Sequence, residues 1–240
     1  MIRYSDASVV ITGASGGIGR HIALAFAEKT NRPLILISRS KKGLDKTAHM
    51  AKQAGGEQVV SIPCDASDLH QVNSIQLTEN FAAPGIIINN AGDFLLKPLQ
   101  QTTSKEFHDQ FESNFFTAVN ITNRFLPALK KMDRGLIVNI CSVSALYGLA
   151  HSGAYSSAKH ALLGYSRSLR VELMETNIGI TAINLGQTES PSWKESEIDK
   201  DLLIDPDDVA SIILTLTQLS KRTLVEELII QPQHGQVPPM

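Results

Sequence analysis

Tyr155 and Lys159 stand four positions apart, a spacing that puts both side chains on one face of a helix. A free phenol titrates near pH ~10 and is a poor acid or base at neutrality. A nearby ammonium favours the phenolate and lowers that pKa. Ser142 lies thirteen residues before Tyr155, just past the apolar run Leu136–Ile140. A hydroxyl there can hydrogen-bond a carbonyl oxygen and fix its position. Together the three suit hydride addition to a carbonyl, whose alkoxide product needs a proton, and the reverse reaction. A lone Tyr-x3-Lys pair is weak; its place after a strand's carboxyl end, where open α/β sheets bind ligands, gives it weight.

A second cluster suits a nucleotide. Thr12-Gly13-Ala14-Ser15-Gly16-Gly17-Ile18-Gly19 follows an apolar run and opens a helix. Glycines there permit a tight turn and close approach of backbone to a pyrophosphate, and the helix start supplies free N–H groups. The alternative is an ordinary strand–turn–helix with glycines for packing. Farther on, Ile37-Ser38-Arg39-Ser40 ends the second apolar run. In dinucleotide folds an acidic residue at this place accepts from the ribose 2′-OH and would repel a 2′-phosphate. Ser38 is uncharged, and Arg39, with Lys41 and Lys42 behind it, offers the planar donor fork that suits phosphate. NADP(H) is therefore expected in preference to NAD(H), with NAD(H) still possible.

Elements must exist to hold these groups. Apolar runs at Val9–Thr12, Leu34–Ile37, Val59–Pro63, Ile86–Asn89, Leu136–Ile140, Ile180–Asn184 and Leu228–Ile230 alternate with segments long enough for crossover helices. Unbroken β-branched runs such as Ile86-Ile87-Ile88 suit strands covered on both faces. The pattern predicts an α/β fold: one Rossmann-like, doubly wound domain over residues 1–240 with a seven-stranded parallel sheet. Thr103-Ser104-Lys105-Glu106 forms a capping box. It leads a helix whose Phe107, Phe111, Phe115 and Ala118 share a face, and Pro127 is expected to kink or end it. Phe116, Val119 and Leu126 form a second apolar set there. A second helix is expected over about 152–175. The tail Gln231–Met240, with three prolines, is expected on the surface.

Composition bounds the rest. Hydrophobic residues make up 42% and charged residues 19% of 240 residues, enough for a sizeable core and against disorder. The net charge of −2 gives no general attraction to nucleic acid or an anionic membrane. No apolar run approaches the ~18 residues of a membrane span. Cys64 and Cys141 show no CxxC, and the histidines show no paired metal spacing. No metal is expected, and the cytoplasm is the expected address.

Five signals in order resemble the short-chain dehydrogenase/reductase family across nearly the whole chain. They are the glycine loop, Asp65 after the third strand, Asn89-Asn90-Ala91-Gly92 after the fourth, Asn114, and Ser142 with Tyr155-x3-Lys159. The resemblance implies a catalytic set of Asn114, Ser142, Tyr155 and Lys159, with Asn114 holding a water that links Lys159 to a proton relay. It implies a cofactor site of Gly13, Ser15, Gly17, Ile18, Gly19, Ser38, Arg39, Asp65, Ala66, Asn90, Ala91, Gly92, Tyr155, Lys159, Gly186 and Ser190. Asp65 would bond the adenine amino group. Leu185 stands where the family usually has proline, which weakens the role expected of Ser190 at the nicotinamide. Gly16 stands where many NADP-dependent relatives carry a basic residue.

A substrate loop is expected at about 188–205, and Phe94, Ser144, Tyr147, Gln187 and Trp193 are expected to shape the pocket for a small carbonyl or alcohol. Trp193 could equally plug a lid. The C-terminal stretch from Arg222 to Pro232 and Trp193 look like bacterial sepiapterin-reductase-like members; that stretch also looks like 3-oxoacyl-carrier-protein-reductase-like ones. The resemblance also implies a homodimer or homotetramer paired through the Phe-rich and Tyr155 helices. The competing reading is a catalytically idle regulator that binds the nicotinamide cofactor, which would have no need of the four catalytic groups.

Overall fold

In the computed structural model, which describes residues 3–78, 80–193 and 196–237, each of the seven apolar runs is a strand. They are β1 (Ser8–Thr12), β2 (Leu34–Ser38), β3 (Val59–Pro63), β4 (Pro84–Asn89), β5 (Gly135–Ser142), β6 (Ile178–Leu185) and β7 (Glu227–Ile230). All pairings are parallel, in the order β3-β2-β1-β4-β5-β6-β7. The chain is thus one α/β domain of the expected doubly wound, Rossmann-like type. Parallel strands need long crossovers, and these are helical: α1 (Gly17–Lys29), α2 (Lys41–Gln53), α3 (Leu69–Asn73), α4 (Ser104–Phe111), α5 (Thr117–Leu129), α6 (Gly153–Glu172) and α7 (Pro206–Gln218). The expected boundaries at residues 1 and 240 lie outside the described residues.

Alternation along each strand sends side chains to two cores. Val9, Ile11, Leu36, Ile88 and Val138 meet Ile22 and Phe26 of α1, Leu44 of α2 and Ile213 of α7. Val10, Ile35, Ile87 and Ile137 meet Ile121, Phe125 and Leu129 of α5 and Leu169 of α6. Burying one such side chain contributes roughly 1.5–3 kcal/mol, enough to fix strand register.

The second face also buries polar groups in the middle of the sheet. Asn89 Nδ2 donates to Asn139 Oδ1 (2.8 Å) and Thr122 Oγ1 (3.0 Å), and Asn139 Nδ2 donates to Ser166 Oγ (2.7 Å). This ladder ties β4 and β5 to α5 and α6.

The capping box at Thr103 forms as expected, and the Glu106 carboxylate also meets Lys97 Nζ at 2.7 Å. Three features refine or depart from the expectations. Pro127 lies inside α5, which runs on to Leu129; proline removes one hydrogen bond there, and the helix stops within a turn rather than at the ring. Between α4 and α5, Glu112–Phe116 forms a π-helical turn, wider than an α-turn and invisible to 3.6-residue periodicity. The tail is not merely on the surface: Pro232 and Val237 are buried. Its last three residues lie outside the described ones.

Candidate active site

A cleft of ≈1030 Å³ crosses the carboxyl ends of the strands. It spans the β1–β4 boundary, where strand order reverses and doubly wound sheets leave a crevice. Its walls include Gly13, Ser15, Gly17, Ile18, Ser38, Arg39, Asp65 and Ala66 at one end. The walls also include Asn90, Ala91, Gly92, Asn114, Ser142, Tyr155 and Lys159, and Phe94, Gly186, Gln187, Ser190 and Trp193.

The glycine turn is fixed by contacts that exclude side chains. Gly13 (φ 67°) and Gly17 (φ 50°) occupy left-handed backbone, which costs any other residue strain. A Cβ on Gly19 would fall 2.5 Å from the Gly13 carbonyl oxygen, and one on Gly13 would fall 2.8 Å from Asn90 Nδ2. Asn90 in turn bonds β1: its amide Nδ2 donates to Thr12 O at 3.0 Å, and its backbone N and that of Ala91 donate to Thr12 Oγ1 at 3.0 and 2.9 Å. The α1 start has Gly16 as N-cap and no side-chain cap. Its first N–H groups face the cleft unclaimed by any side chain among the described residues, which fits an anionic diphosphate.

At the adenine end, Ser38 Oγ donates to Ser15 Oγ (2.9 Å). Asp65 Oδ1 accepts from Ser67 N (3.0 Å) and Ser67 Oγ (2.8 Å), and Ala66 O accepts from Asn120 Nδ2 (3.1 Å).

Ser142 is the last residue of β5. Its Oγ accepts from Ser144 N (3.2 Å) and Ser144 Oγ (2.9 Å). Ser144 itself is fully buried, so it holds Ser142 rather than facing the cleft. On α6 the Tyr155 ring stands edge-on to Phe94, with centroids 4.9 Å apart. Burial pushes the phenol up to about 12, against a smaller lowering by the Ser142 hydroxyl.

Lys159 is 4% exposed; its Nζ donates to Ile140 O (3.0 Å) and lies 5.7 Å from the Tyr155 ring centre. Burial pulls this ammonium down to about 8.

Asn114 sits in the π turn, buried; its Nδ2 donates to Asp93 O (2.8 Å) and Gln110 O (3.1 Å), while Oδ1 accepts from Asp93 N (3.3 Å). A Cβ on Gly92 would fall 2.6 Å from Asn114 Oδ1 and 3.4 Å from Lys159 Nζ. The two polar atoms therefore converge over that bare backbone.

Residues 7–201 match the short chain dehydrogenase family. The chain belongs to that family. Among its relatives, ketoacyl reductase HetN of Nostoc sp. is 31% identical over 76% of this chain, which spans 64% of that protein's length. The sepiapterin reductase of Chlorobaculum tepidum is 28% identical, covering 95% of this chain and 97% of its own. The alcohol dehydrogenase of the archaeon Thermococcus sibiricus, solved with 5-hydroxy-NADP, superimposes with a TM-score of 0.88 at 28% identity, over 98% of this chain and 99% of that one.

In this short-chain dehydrogenase distant segments complete the cleft. Ser190 and Pro191 lie against the glycine turn: a Cβ on Gly17 would fall 3.0 Å from Pro191 Cδ. A bridge between Thr188 and Ile204 closes the base of the expected substrate loop, of which residues 194 and 195 lie outside the described ones.

Gln187 uses its whole amide on the tail, donating to Val237 O (2.9 Å) and accepting from Val237 N (2.8 Å). Tyr147 is 44% exposed, and its hydroxyl accepts from Gln231 Nε2 (3.2 Å). Gln231 and Gln236 line the cleft. Neither was legible in the sequence, since no periodic or motif signal links the tail to Gln187. No described helix is long and apolar enough to cross a membrane.

Proposed function

We propose that this short-chain dehydrogenase exchanges a hydride between NADP(H) and a small carbonyl or alcohol, with Tyr155 as acid–base. The observation that carries the reading is the single cleft that joins the uncapped glycine turn to Tyr155, Ser142 and Lys159. Gly13, Ser15, Gly17, Ile18 and Gly19 would hold the diphosphate, Asp65 and Ala66 the adenine, and Ser38 and Arg39 the 2′-phosphate. Asn90, Ala91, Gly92 and Lys159 would hold the nearer ribose, with Gly186 and Ser190 at the nicotinamide. Bound there, the nicotinamide supplies or accepts the hydride.

The chain's own residues manage the proton and the pose. A phenol held near 12 is protonated at neutral pH, the state a donor needs for carbonyl reduction. Ser142 Oγ, held by Ser144, would fix the carbonyl oxygen beside it. Phe94 packs on the Tyr155 ring and keeps water from that face. Lys159 and Asn114 meet over Gly92, where a water would restore the proton given up by Tyr155. The T. sibiricus alcohol dehydrogenase and its NADP analogue support the cofactor assignment.

The test compares kcat/KM for NADPH and NADH across a panel of uncharged ketones and aldehydes, before and after S38D with R39L. Hydrogen bonds to a charged group are worth ~1.5–3 kcal/mol, or about 10–150-fold. We expect an NADPH preference of that size, reversed in the double variant. Equal use of both cofactors, or no turnover with any carbonyl, defeats the reading. The enzyme would act in the cytoplasm as a homodimer or homotetramer. Phe116, 45% exposed on the Phe-rich helix, would be covered there; a monomer in light scattering, or export in cell fractionation, would contradict this.

A further inference from the structure

We infer that Arg20, one turn into α1, is a cofactor-specificity residue that supplies a second cation to the 2′-phosphate. The inference rests on the NADP(H) reading above. Gly16 has no side chain, yet the space beside it is not empty of charge: a Cβ on Gly16 would lie 3.8 Å from Arg20 Nη2. The guanidinium has reached back along the helix to the place that a basic residue at 16 would fill.

Its position is held by two hydrogen bonds. Nη2 donates to Ser15 O. Nε donates to Thr47 Oγ1 (3.0 Å), whose own hydroxyl donates to Gly43 O (3.1 Å). Gly43 presses on the same spot, for a Cβ there would fall 2.7 Å from Ser15 Cβ and 3.1 Å from Ser40 Oγ. Ser15 is also the residue whose hydroxyl meets Ser38 Oγ at 2.9 Å. Ser38 is the position that separates a 2′-OH from a 2′-phosphate, and Arg39 follows it on the cleft wall. Arg20 therefore meets, through Ser15, the same Ser15–Ser38 pair that Arg39 follows in the chain.

The geometry also explains why the guanidinium suits the task. Two of its nitrogens are spent on fixed partners, so the plane is set before any ligand arrives, and Nη1 has no partner among the described residues. A planar fork held this way loses little freedom when it meets phosphate oxygens. A lysine at 20 would carry the charge without the fork.

The experiment measures equilibrium binding of NADPH, NADH and 2′,5′-ADP by fluorescence titration and calorimetry, with melting curves run beside them. If Arg20 serves the phosphate, R20Q weakens NADPH and 2′,5′-ADP by about tenfold or more and changes NADH by less than about twofold, while T47V, which keeps the cation, leaves NADPH selectivity largely in place. Equal weakening of NADPH and NADH in R20Q would show that Arg20 only props the glycine turn, and unchanged NADPH binding would show that it does neither; both overturn the inference. Should R20Q fail to fold, R20K decides: a fall in NADPH-over-NADH selectivity supports the inference and unchanged selectivity overturns it. A wild type that binds NADH as tightly as NADPH and ignores 2′,5′-ADP defeats the NADP(H) reading itself, an outcome distinct from a selective wild type with an indifferent R20Q.

Discussion

The two ends of the cleft are built by opposite means. The glycine-turn end is held by backbone groups in close contact: Gly19 meets the Gly13 carbonyl, the Asn90 amide meets Thr12 O, and Gly13 and Asn90 directly follow strands buried along their length. The far end is a loop, a tail and side-chain amides, with Gln187 reaching Val237 fifty positions away. The first has no room for variation and the second has little else. A rigid end suited to one cofactor beside an adaptable end suited to many substrates is what a fold needs if it is to change substrate without changing reaction.

Four measurements would sharpen that contrast or break it, and the largest concerns the groups between the two ends. Y155F should cut kcat by roughly 10²–10⁴ while NADPH affinity stays within about twofold; full turnover in the variant would remove Tyr155 from the chemistry. At the rigid end, G19A should destabilise the protein by about 1–3 kcal/mol and weaken both cofactors together, since a Cβ would sit 2.5 Å from a backbone oxygen. A variant that melts like wild type would mean that this end is softer than its contacts imply.

The third measurement reads Lys159. Its folded-state pKa of about 8 lies below the ordinary 10.5, so between these values the unfolded chain holds a proton that the folded chain has released. Stability then rises with pH, by at most about 1.4 kcal/mol per unit. From pH 9 upward Cys141 acts in the other direction: burial lifts its thiol from 9.0 to about 12, and the folded chain keeps a proton that the unfolded chain loses. The net gain is thus confined to about pH 8–9. Urea melts at those two values should show it in the wild type and lose it in K159M; a flat wild type would mean that Lys159 titrates at its ordinary value. The smallest effect is expected at the adaptable end. Q187A removes two neutral hydrogen bonds to the tail, worth about 1 kcal/mol each, and should raise substrate KM several-fold with cofactor affinity unchanged. A matching loss of cofactor affinity would show that the two ends are coupled.

The same contrast decides what could be read from the sequence. All seven strands were legible because runs such as Ile86-Ile87-Ile88 have one reading when both faces are covered. The glycine turn, Ser142, Tyr155 and Lys159 were legible because their spacing is local and tied to strand ends. Ser144 was expected on the pocket wall and instead backs Ser142 from within, a distinction that depends on one short 3-10 turn after β5. The docked tail was missed because a proline-rich segment carries no period, and its anchor is a single amide. Arg20 was missed because a helix-surface arginine looks the same whether it points outward or back over its own N-terminus.

The π turn at Glu112–Phe116 has a consequence for insertions and deletions. It holds one residue more than an α-helix would use, and Asn114 lies in that surplus. Removing Ser113 would let α4 and α5 join as one regular helix from Ser104 to Leu129, at no cost in backbone bonding. The gain would be paid in phase, because one residue is a rotation of about 100°, and everything before the cut would turn by that angle relative to everything after it. Either Asn114 would leave Gly92, or Phe107 and Phe111 would leave the face they now occupy. A shortened chain with undiminished helical circular dichroism and a lost reaction is the expected result; a shortened chain that still turns over would mean that the surplus residue is incidental.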